Sequence, residues 1–156
     1  MKINLLSKSE TSTILKHVSL QWKQDIVKIK NLKAYYVTDD SQILMADNLK
    51  ILRLGDEYIP FLSELKLLEN FPKVIVDMGA VRFMCKGANV MRPGIKSHSE
   101  FTKNDIVCIV EESQHKFLAV GKSLIDSSEI KEISKGEVIK NMHYISDKYW
   151  EISKTI

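Results

Sequence analysis

The residues best suited to chemistry lie in one basic stretch, residues 82–103. It holds a single acid, Glu100, against five cationic side chains: Arg82, Lys86, Arg92, Lys96 and Lys103. Gly87 and Ala88 lie inside this stretch, and a glycine lets the backbone approach a ligand closely. Cations around such a turn are typical of a phosphate-binding site. The pattern also fits an ordinary helix-to-strand connection with solvated charges, because basic runs often bind nothing specific.

The sequence before the turn predicts the elements that position it. The apolar run at residues 74–76 has a length suited to a buried strand, and Asp77 is suited to cap a helix that follows. The helical spacing of Ala80, Phe83 and Met84 predicts that these three side chains are buried on one face of that helix.

The sequence through the turn predicts where the helix ends. Arg82 and Lys86 are spaced i,i+4 and share another face of the helix. We expect Gly87 to end the helix in the left-handed conformation that glycine adopts at low cost. Residues 89–92 then form an extended segment, and Pro93 ends it because proline has no N–H to donate to a ladder. The prediction is therefore strand, helix, glycine turn and edge strand.

Two blocks of the sequence resemble the PUA domain, an RNA-binding module named for pseudouridine synthases and archaeosine transglycosylases. The first block is residues 77–95, and the second consists of Lys135-Gly136 followed by residues 141–150. The resemblance is greatest to the branch of the family that contains the malignant T-cell-amplified protein, a translation factor. It implies an α+β protein with a small N-terminal α+β domain at residues 1–72 and a C-terminal PUA β-pseudobarrel at residues 73–156.

The resemblance also implies which residues contact RNA. The turn at Gly87 would lie beside the nucleic acid, with cations from Lys86 and Arg92 and a second close backbone approach at Gly121. The implied RNA-binding residues are Arg82, Lys86, Gly87, Ala88, Asn89, Val90, Arg92, Pro93, Gly121 and Lys122. We expect no catalytic residue, no cofactor and no metal.

The N-terminal sequence predicts one helix followed by short strands. Ser7 and Glu10 form a capping-box pattern, which predicts a helix over residues 8–21. Turn residues such as Asp39-Asp40 separate the apolar runs that follow. We expect four strands there, at residues 25–30, 32–38, 42–46 and 49–54. A short helix near residues 63–70 comes next.

The C-terminal sequence predicts more strands. The apolar runs at residues 106–110 and 116–121, joined by a polar linker, predict a β-hairpin. A turn at Lys135-Gly136 leads to a closing strand pair over residues 143–152. Several short strands at close spacing favour a compact barrel-like β fold.

Metal and catalytic motifs are absent from the sequence. The four histidines have no Cys or His partner at ligand spacing, so we expect no zinc site. No Walker A loop, Rossmann fingerprint, nucleophile elbow or HExxH motif occurs. Cys85 and Cys108 each fall in apolar sequence, and we interpret both as buried reduced thiols.

The composition bounds the class of protein. With 44% hydrophobic and 28% charged residues, the chain has the composition of a globular protein. No apolar run approaches the roughly 18 residues needed to span a bilayer, and the N-terminus lacks the pattern of a secretion signal. We therefore expect a cytoplasmic protein without a membrane partner. The net charge of only +3 favours contact with a defined RNA site over general coating of nucleic acid, and we expect no DNA ligand.

Three functions from different classes fit these observations. The first is a non-enzymatic translation factor that contacts structured RNA, namely the acceptor end of tRNA or the ribosomal RNA of the small subunit. The second is an accessory RNA-recognition subunit for a pseudouridine synthase or transglycosylase acting in trans. The roughly 72 residues outside the PUA block are too few to form the catalytic domain of such an enzyme, which a separate protein would have to supply. The third is an interaction scaffold, because members of the resembled family pair with a partner that carries a SUI1 domain.

Overall fold

The computed structural model describes residues 1–156 and contains two β-sheets. The first, the N-terminal sheet, is antiparallel, and its strands follow one another in chain order. They are β1 (Ile3–Leu5), β2 (Lys33–Thr38), β3 (Ser41–Ala46), β4 (Leu49–Leu54) and β5 (Glu57–Pro60). Short polar turns such as Asp47-Asn48 join β2 to β5, which makes this sheet a simple meander.

Helix α1 (Lys8–Trp22) covers one face of the N-terminal sheet. Its predicted capping box is confirmed: the Ser7 hydroxyl accepts from the Glu10 N–H at 3.1 Å, and the Glu10 carboxylate accepts from the Ser7 N–H at 3.2 Å. Ile14, Val18 and Trp22 recur at helical spacing and are buried against the sheet. The predicted helix is therefore confirmed, with one more residue at its C-terminal end.

The second sheet, the C-terminal sheet, has six strands in the order β7-β11-β10-β9-β6-β8. Their bounds are β6 (Lys73–Val76), β7 (Val90–Met91), β8 (Ile95–His98), β9 (Ile106–Glu111), β10 (Phe117–Ser123) and β11 (Glu137–Tyr144). Strands β6 and β9 are parallel, whereas all the other neighbours are antiparallel. Register shifts in β6, β10 and β11 bend the sheet into a nearly closed barrel. The predicted α+β class with a barrel-like sheet is confirmed.

The two sheets share a hydrophobic core. A cluster of 21 buried residues fills the N-terminal sheet and also includes Ile106, Cys108 and Val120 from β9 and β10. A second cluster of 13 residues lies inside the barrel. Helix α2 (Leu65–Leu68) lies in the connection between the sheets and buries Leu68.

Polar contacts also join the two sheets. The imidazole of His143, fully buried on β11, accepts from the Leu62 N–H at Nε2 (3.2 Å), and its Nδ1 lies 2.7 Å from the Asp147 carboxylate. Because Nε2 accepts, the ring proton is on Nδ1 and is donated to Asp147. Lys122 forms an ion pair with Glu57 at 2.7 Å, and Lys23 forms another with Asp105 at the same distance.

Three predictions of secondary structure were wrong. Residues 25–30 form no strand, and Glu57–Pro60, predicted as part of a connection, forms strand β5. The predicted strand pair over residues 143–152 is instead the end of β11 followed by helix α4 (Lys148–Ser153). Asp147 starts this helix, because its carboxylate accepts from the Trp150 N–H at 2.7 Å.

Helix α4 packs back onto the N-terminal core through half-buried Tyr149, Trp150 and Ile152. The aromatic side chains near the C-terminus are therefore packing residues. None of the helices is both long enough and apolar enough to span a membrane.

Candidate nucleic-acid interface

The glycine turn is built as a helix end. After β6, the Asp77 carboxylate accepts from the Ala80 N–H at 3.0 Å and starts a 3-10 turn that continues into helix α3 (Val81–Met84). The helix closes with two backbone bonds, from Gly87 N–H to the Met84 carbonyl (3.1 Å) and from Ala88 N–H to the Phe83 carbonyl (3.0 Å). This bonding is a Schellman motif with Gly87 in the position that requires positive φ, here +90°. The predicted cap and the predicted helix end are confirmed.

The missing side chain of Gly87 makes room for a tyrosine and not for a ligand. A Cβ at this position would lie 2.9 Å from Cε1 and 3.1 Å from Cζ of Tyr144, the last residue of β11. The close ligand approach expected at Gly87 is therefore blocked on the side of the turn that Tyr144 occupies. The residue is glycine because both its φ angle and the packing of Tyr144 exclude a side chain.

Asn141 on β11 holds the turn in place. Its side-chain amide donates to the Met84 carbonyl (3.1 Å) and to the Ala88 carbonyl (3.0 Å). Its backbone N–H donates to the Asn89 side-chain oxygen at 2.9 Å, and the Asn89 amide donates to the Glu137 carboxylate at the same distance. The turn is therefore fixed to the barrel by several bonds. Sequence reasoning missed Asn141, whose position in the second PUA-like block was its only signal.

The cations predicted around the turn are exposed. Arg82 and Lys86 are solvent-exposed, and neither forms an ion pair. The Arg82 guanidinium lies over the ring of Phe83, 5.0 Å from its centroid. Both cations are free to contact a phosphate.

Phe83 is the principal residue that sequence reasoning placed wrongly. It was expected on the buried face, but 49% of it is exposed, because α3 is only one turn long and Met84 alone reaches the core. Phe83 and Met91, which is 47% exposed, line a hollow of about 330 Å³ next to the turn. The remaining lining is mostly apolar and includes Val76, Ala80, Met84 and Val90.

The predicted contact strand is divided between inside and outside. Val90 is buried at 1% exposure and belongs to the barrel core. The Nε of Arg92 donates to the carbonyls of Ile130 (2.6 Å) and Ile133 (3.2 Å) and thereby holds the 3-10 helix Ser127–Glu132 against the barrel. Pro93 is exposed, in the short turn that follows β7.

The structure does not bring Gly121 and Lys122 to the turn. Gly121 is buried at the register shift between β10 and β11, where a Cβ would overlap the Lys140 carbonyl oxygen. The Lys122 side chain points to the N-terminal sheet and is neutralised there by Glu57.

The remaining reactive side chains do not assemble into a second centre. No group of three or more His, Cys, Asp or Glu residues has a geometry that would hold a metal ion. The two cysteines are separate free thiols. Burial raises the pKa of the Cys108 thiol to about 12, and it also raises the pKa of the Cys85 thiol. Cys108 is buried as predicted, whereas Cys85 is only half-buried.

The PUA domain family model matches residues 72–145 of this chain. An uncharacterized protein of Methanocaldococcus jannaschii is 37% identical in an alignment 150 positions long that covers 93% of each chain. Translation machinery-associated protein 20 of Schizosaccharomyces pombe is 32% identical over 71% of this chain and 70% of its own length. Malignant T-cell-amplified sequence 1-A of Xenopus laevis is 30% identical over 85% of this chain and 77% of its own length.

Solved structures show the same fold. A hypothetical protein from Pyrococcus horikoshii superposes with a TM-score of 0.81 and 27% identity, covering 97% of this chain and 99% of that one. An archaeal box H/ACA Nop10–Cbf5 complex matches 62% of this chain, with a TM-score of 0.51 and 27% identity over 30% of the other chain. The alignments with the Schizosaccharomyces pombe and Xenopus laevis proteins cover more than two thirds of both chains at 30% identity or more. The chain therefore belongs to the PUA-domain family of translation machinery-associated protein 20 and malignant T-cell-amplified sequence 1.

Proposed function

We propose that this protein is a non-enzymatic, cytoplasmic RNA-binding factor of translation. Its RNA ligand is the acceptor end of tRNA, the ribosomal RNA of the small subunit, or both. We assign RNA binding to a PUA domain at residues 73–156 and partner contacts to a pre-PUA domain at residues 1–72. Relatives named as translation machinery-associated proteins support the role in translation.

One observation carries this proposal: an apolar hollow and two unpaired cations flank the same rigid turn. Proteins that recognise unpaired RNA stack its bases on aromatic side chains and neutralise the neighbouring phosphates with Lys or Arg. The hollow of about 330 Å³ beside Phe83 is large enough for a nucleobase. Arg82 and Lys86, both exposed and one helical turn apart, are assigned to the phosphates on either side of such a base.

The predicted contact residues then fall into two roles. Arg82, Lys86 and Ala88 are exposed and contact RNA directly, and Phe83 joins them as a stacking surface. Gly87, Asn89, Val90 and Arg92 set the shape of the turn and of the strand beside it. Pro93 closes that strand at the surface. Gly121 and Lys122 lie outside this interface.

A partner protein with a SUI1 domain belongs to the same proposal, as the factor with which this protein acts at the small ribosomal subunit. Its support is membership of a family with malignant T-cell-amplified sequence 1-A.

Binding of tRNA and of small ribosomal subunits tests the RNA interface. Phe83→Ala and the double variant Arg82→Ala/Lys86→Ala should each weaken binding, while thermal stability changes little because all three side chains are exposed. The matched control is Lys66→Ala/Lys116→Ala, which removes two exposed lysines elsewhere. If the control weakens binding as much as the double variant, the turn is not the site.

The salt dependence of the same binding gives a second measure. With roughly three to five phosphates neutralised, log K should fall with log[salt] with a slope of about −2 to −4. The double variant should reduce that slope by about 1 to 2. A wild-type slope near zero would refute the phosphate contacts.

A second candidate function is supported by the similarity to a chain of the box H/ACA Nop10–Cbf5 complex. In this alternative the protein is an RNA-recognition subunit that works in trans with a pseudouridine synthase or transglycosylase. Purification of the tagged protein from its native cells separates the two. Stable association with such an enzyme, without ribosomal subunits, would favour the accessory subunit.

A further inference from the structure

Residues 25–30, with the sequence Asp-Ile-Val-Lys-Ile-Lys, have the composition of a strand but no strand partner. Apolar and polar side chains alternate from Val27 to Lys30, and β-branched residues make up half of the segment. In the structure the segment forms no regular element, and its backbone makes no hydrogen bond with the rest of the protein. A solvent-exposed backbone with unmade bonds is an open template for another strand.

The segment is anchored and still accessible. Ile26 and Ile29 are half-buried against the N-terminal core, whereas Val27 between them is 81% exposed. Between the segment and helix α1 lies a hollow of about 680 Å³. We call this hollow the lysine groove; it is lined by residues 26–30 except Val27 and by one face of α1 from Lys8 to Leu20.

The charge of the lysine groove has one sign. Lys8 and Lys16 reach it from α1, and Lys28 and Lys30 reach it from the segment, with no acidic residue in the lining. None of the four lysines forms an ion pair. Between them the floor is apolar, formed by Leu15, Leu20, Ile26 and Ile29.

We propose that the lysine groove binds an extended, acidic segment of a partner protein, which pairs with residues 25–30 as an added strand. A strand of about six residues spans roughly 20 Å, and residues 25–30 offer six residues whose backbone makes no hydrogen bond. Acidic side chains on alternate positions meet the lysines, and apolar side chains between them cover the floor. Backbone pairing supplies the affinity, and the alternation of side chains supplies the selectivity.

Two other occupants fit the groove less well. The floor carries no aromatic side chain on which a base could stack. Single-stranded RNA would therefore gain little affinity there, even though Leu20 is 76% exposed. A second copy of this chain would bring Lys28 and Lys30 against their own counterparts, and like charges directly opposite destabilise a strand pair.

The test uses the full-length protein and a short fluorescent peptide in which glutamate and valine alternate. A control peptide has proline in place of each valine, which keeps the charge but removes N–H donors. We expect the first peptide to bind and the second not to bind. Lys28→Glu/Lys30→Glu should weaken binding roughly tenfold or more, whereas Lys116→Glu/Lys131→Glu, with the same change of charge on other exposed lysines, should leave it within about twofold.

Hydrogen exchange reports on the backbone directly. The amides of residues 25–30 should exchange fast in the free protein and more slowly once the glutamate–valine peptide is bound. Val27→Pro, at an exposed position, should reduce binding without changing the circular dichroism spectrum.

Four results would overturn the proposal. Equal binding of both peptides, or unchanged exchange at residues 25–30 in the complex, would exclude strand pairing. Failure of the glutamate–valine peptide to bind, with oligouridylate binding that is lost in Lys28→Glu/Lys30→Glu, would assign the groove to nucleic acid. Protection of these amides in the free protein together with sedimentation as a dimer would assign it to self-association.

Discussion

Alanine at Gly87 tests why the turn requires glycine. Two costs are expected. At φ +90° any Cβ costs roughly 1 kcal/mol in backbone strain. The added Cβ would also lie 2.9 Å from the Tyr144 ring, and overpacking of this kind costs about 1–3 kcal/mol. The sum, about 2–4 kcal/mol, should lower the melting temperature by roughly 5 to 15 °C for a chain of this size.

Gly136 is the matched control, because it also has positive φ (+108°) but no atom lies within 4 Å of its Cβ position. Gly136→Ala should therefore lose only the backbone term, about 1 kcal/mol. Urea unfolding of both variants and of the double variant Gly87→Ala/Tyr144→Leu separates the cost of backbone strain from the cost of the overlap with the Tyr144 ring. If Gly87→Ala loses no more stability than Gly136→Ala, or if Tyr144→Leu recovers none of the difference, the packing argument is refuted.

Three further predictions concern the rest of the molecule. Burial alone would raise the pKa of Asp147, but hydrogen bonds from His143, Trp150 and Tyr144 outweigh it and hold the pKa below its ordinary 3.8. As the pH decreases, the unfolded chain therefore takes up the proton first, and the free energy of unfolding should decrease below about pH 4. Urea unfolding across that range should show a smaller decrease in Asp147→Asn. Cys108 should resist iodoacetamide in the folded protein while Cys85 reacts, and both should react in urea, as mass spectrometry will show. A double-mutant cycle on Lys122 and Glu57 should give a coupling of about 0.5–1 kcal/mol that decreases with salt, and a coupling of zero would mean that this ion pair does not join the sheets.

The elements read correctly from the sequence are those with strong local signals. The capping box of α1, the β9–β10 hairpin and the helix end at Gly87 all depend on residues close together in the chain. Local signals also explain one error. A strand pair was predicted over residues 143–152, because the apolar and aromatic residues after Asp147 fit a strand as well as a helix. In the structure Asp147 is the N-cap of α4, and this helix packs onto the N-terminal core.

The errors at the candidate site have a long-range cause. Phe83 follows a helical apolar pattern and was expected to be buried, but a single helical turn has only enough contact with the barrel for Met84. Asn141 is 57 residues away from the Met84 carbonyl that it binds, and no local pattern reveals such a contact. The cations were predictable from composition, whereas the aromatic surface between them was not.

Strand β11 connects the proposed RNA interface to the N-terminal sheet. Asn141 bonds to the glycine turn, and His143, two residues further along the same strand, accepts from the Leu62 N–H of the connection between the sheets. Tyr144 packs on Gly87. The Asp147 carboxylate accepts a hydrogen bond from the His143 Nδ1–H and starts α4, which packs onto the N-terminal core. These contacts are buried or short, and side chains from a single strand make most of them. An RNA held at the turn and a partner strand held in the lysine groove would therefore be kept in a fixed relative position, because the two sheets share one core and cannot move independently without opening it.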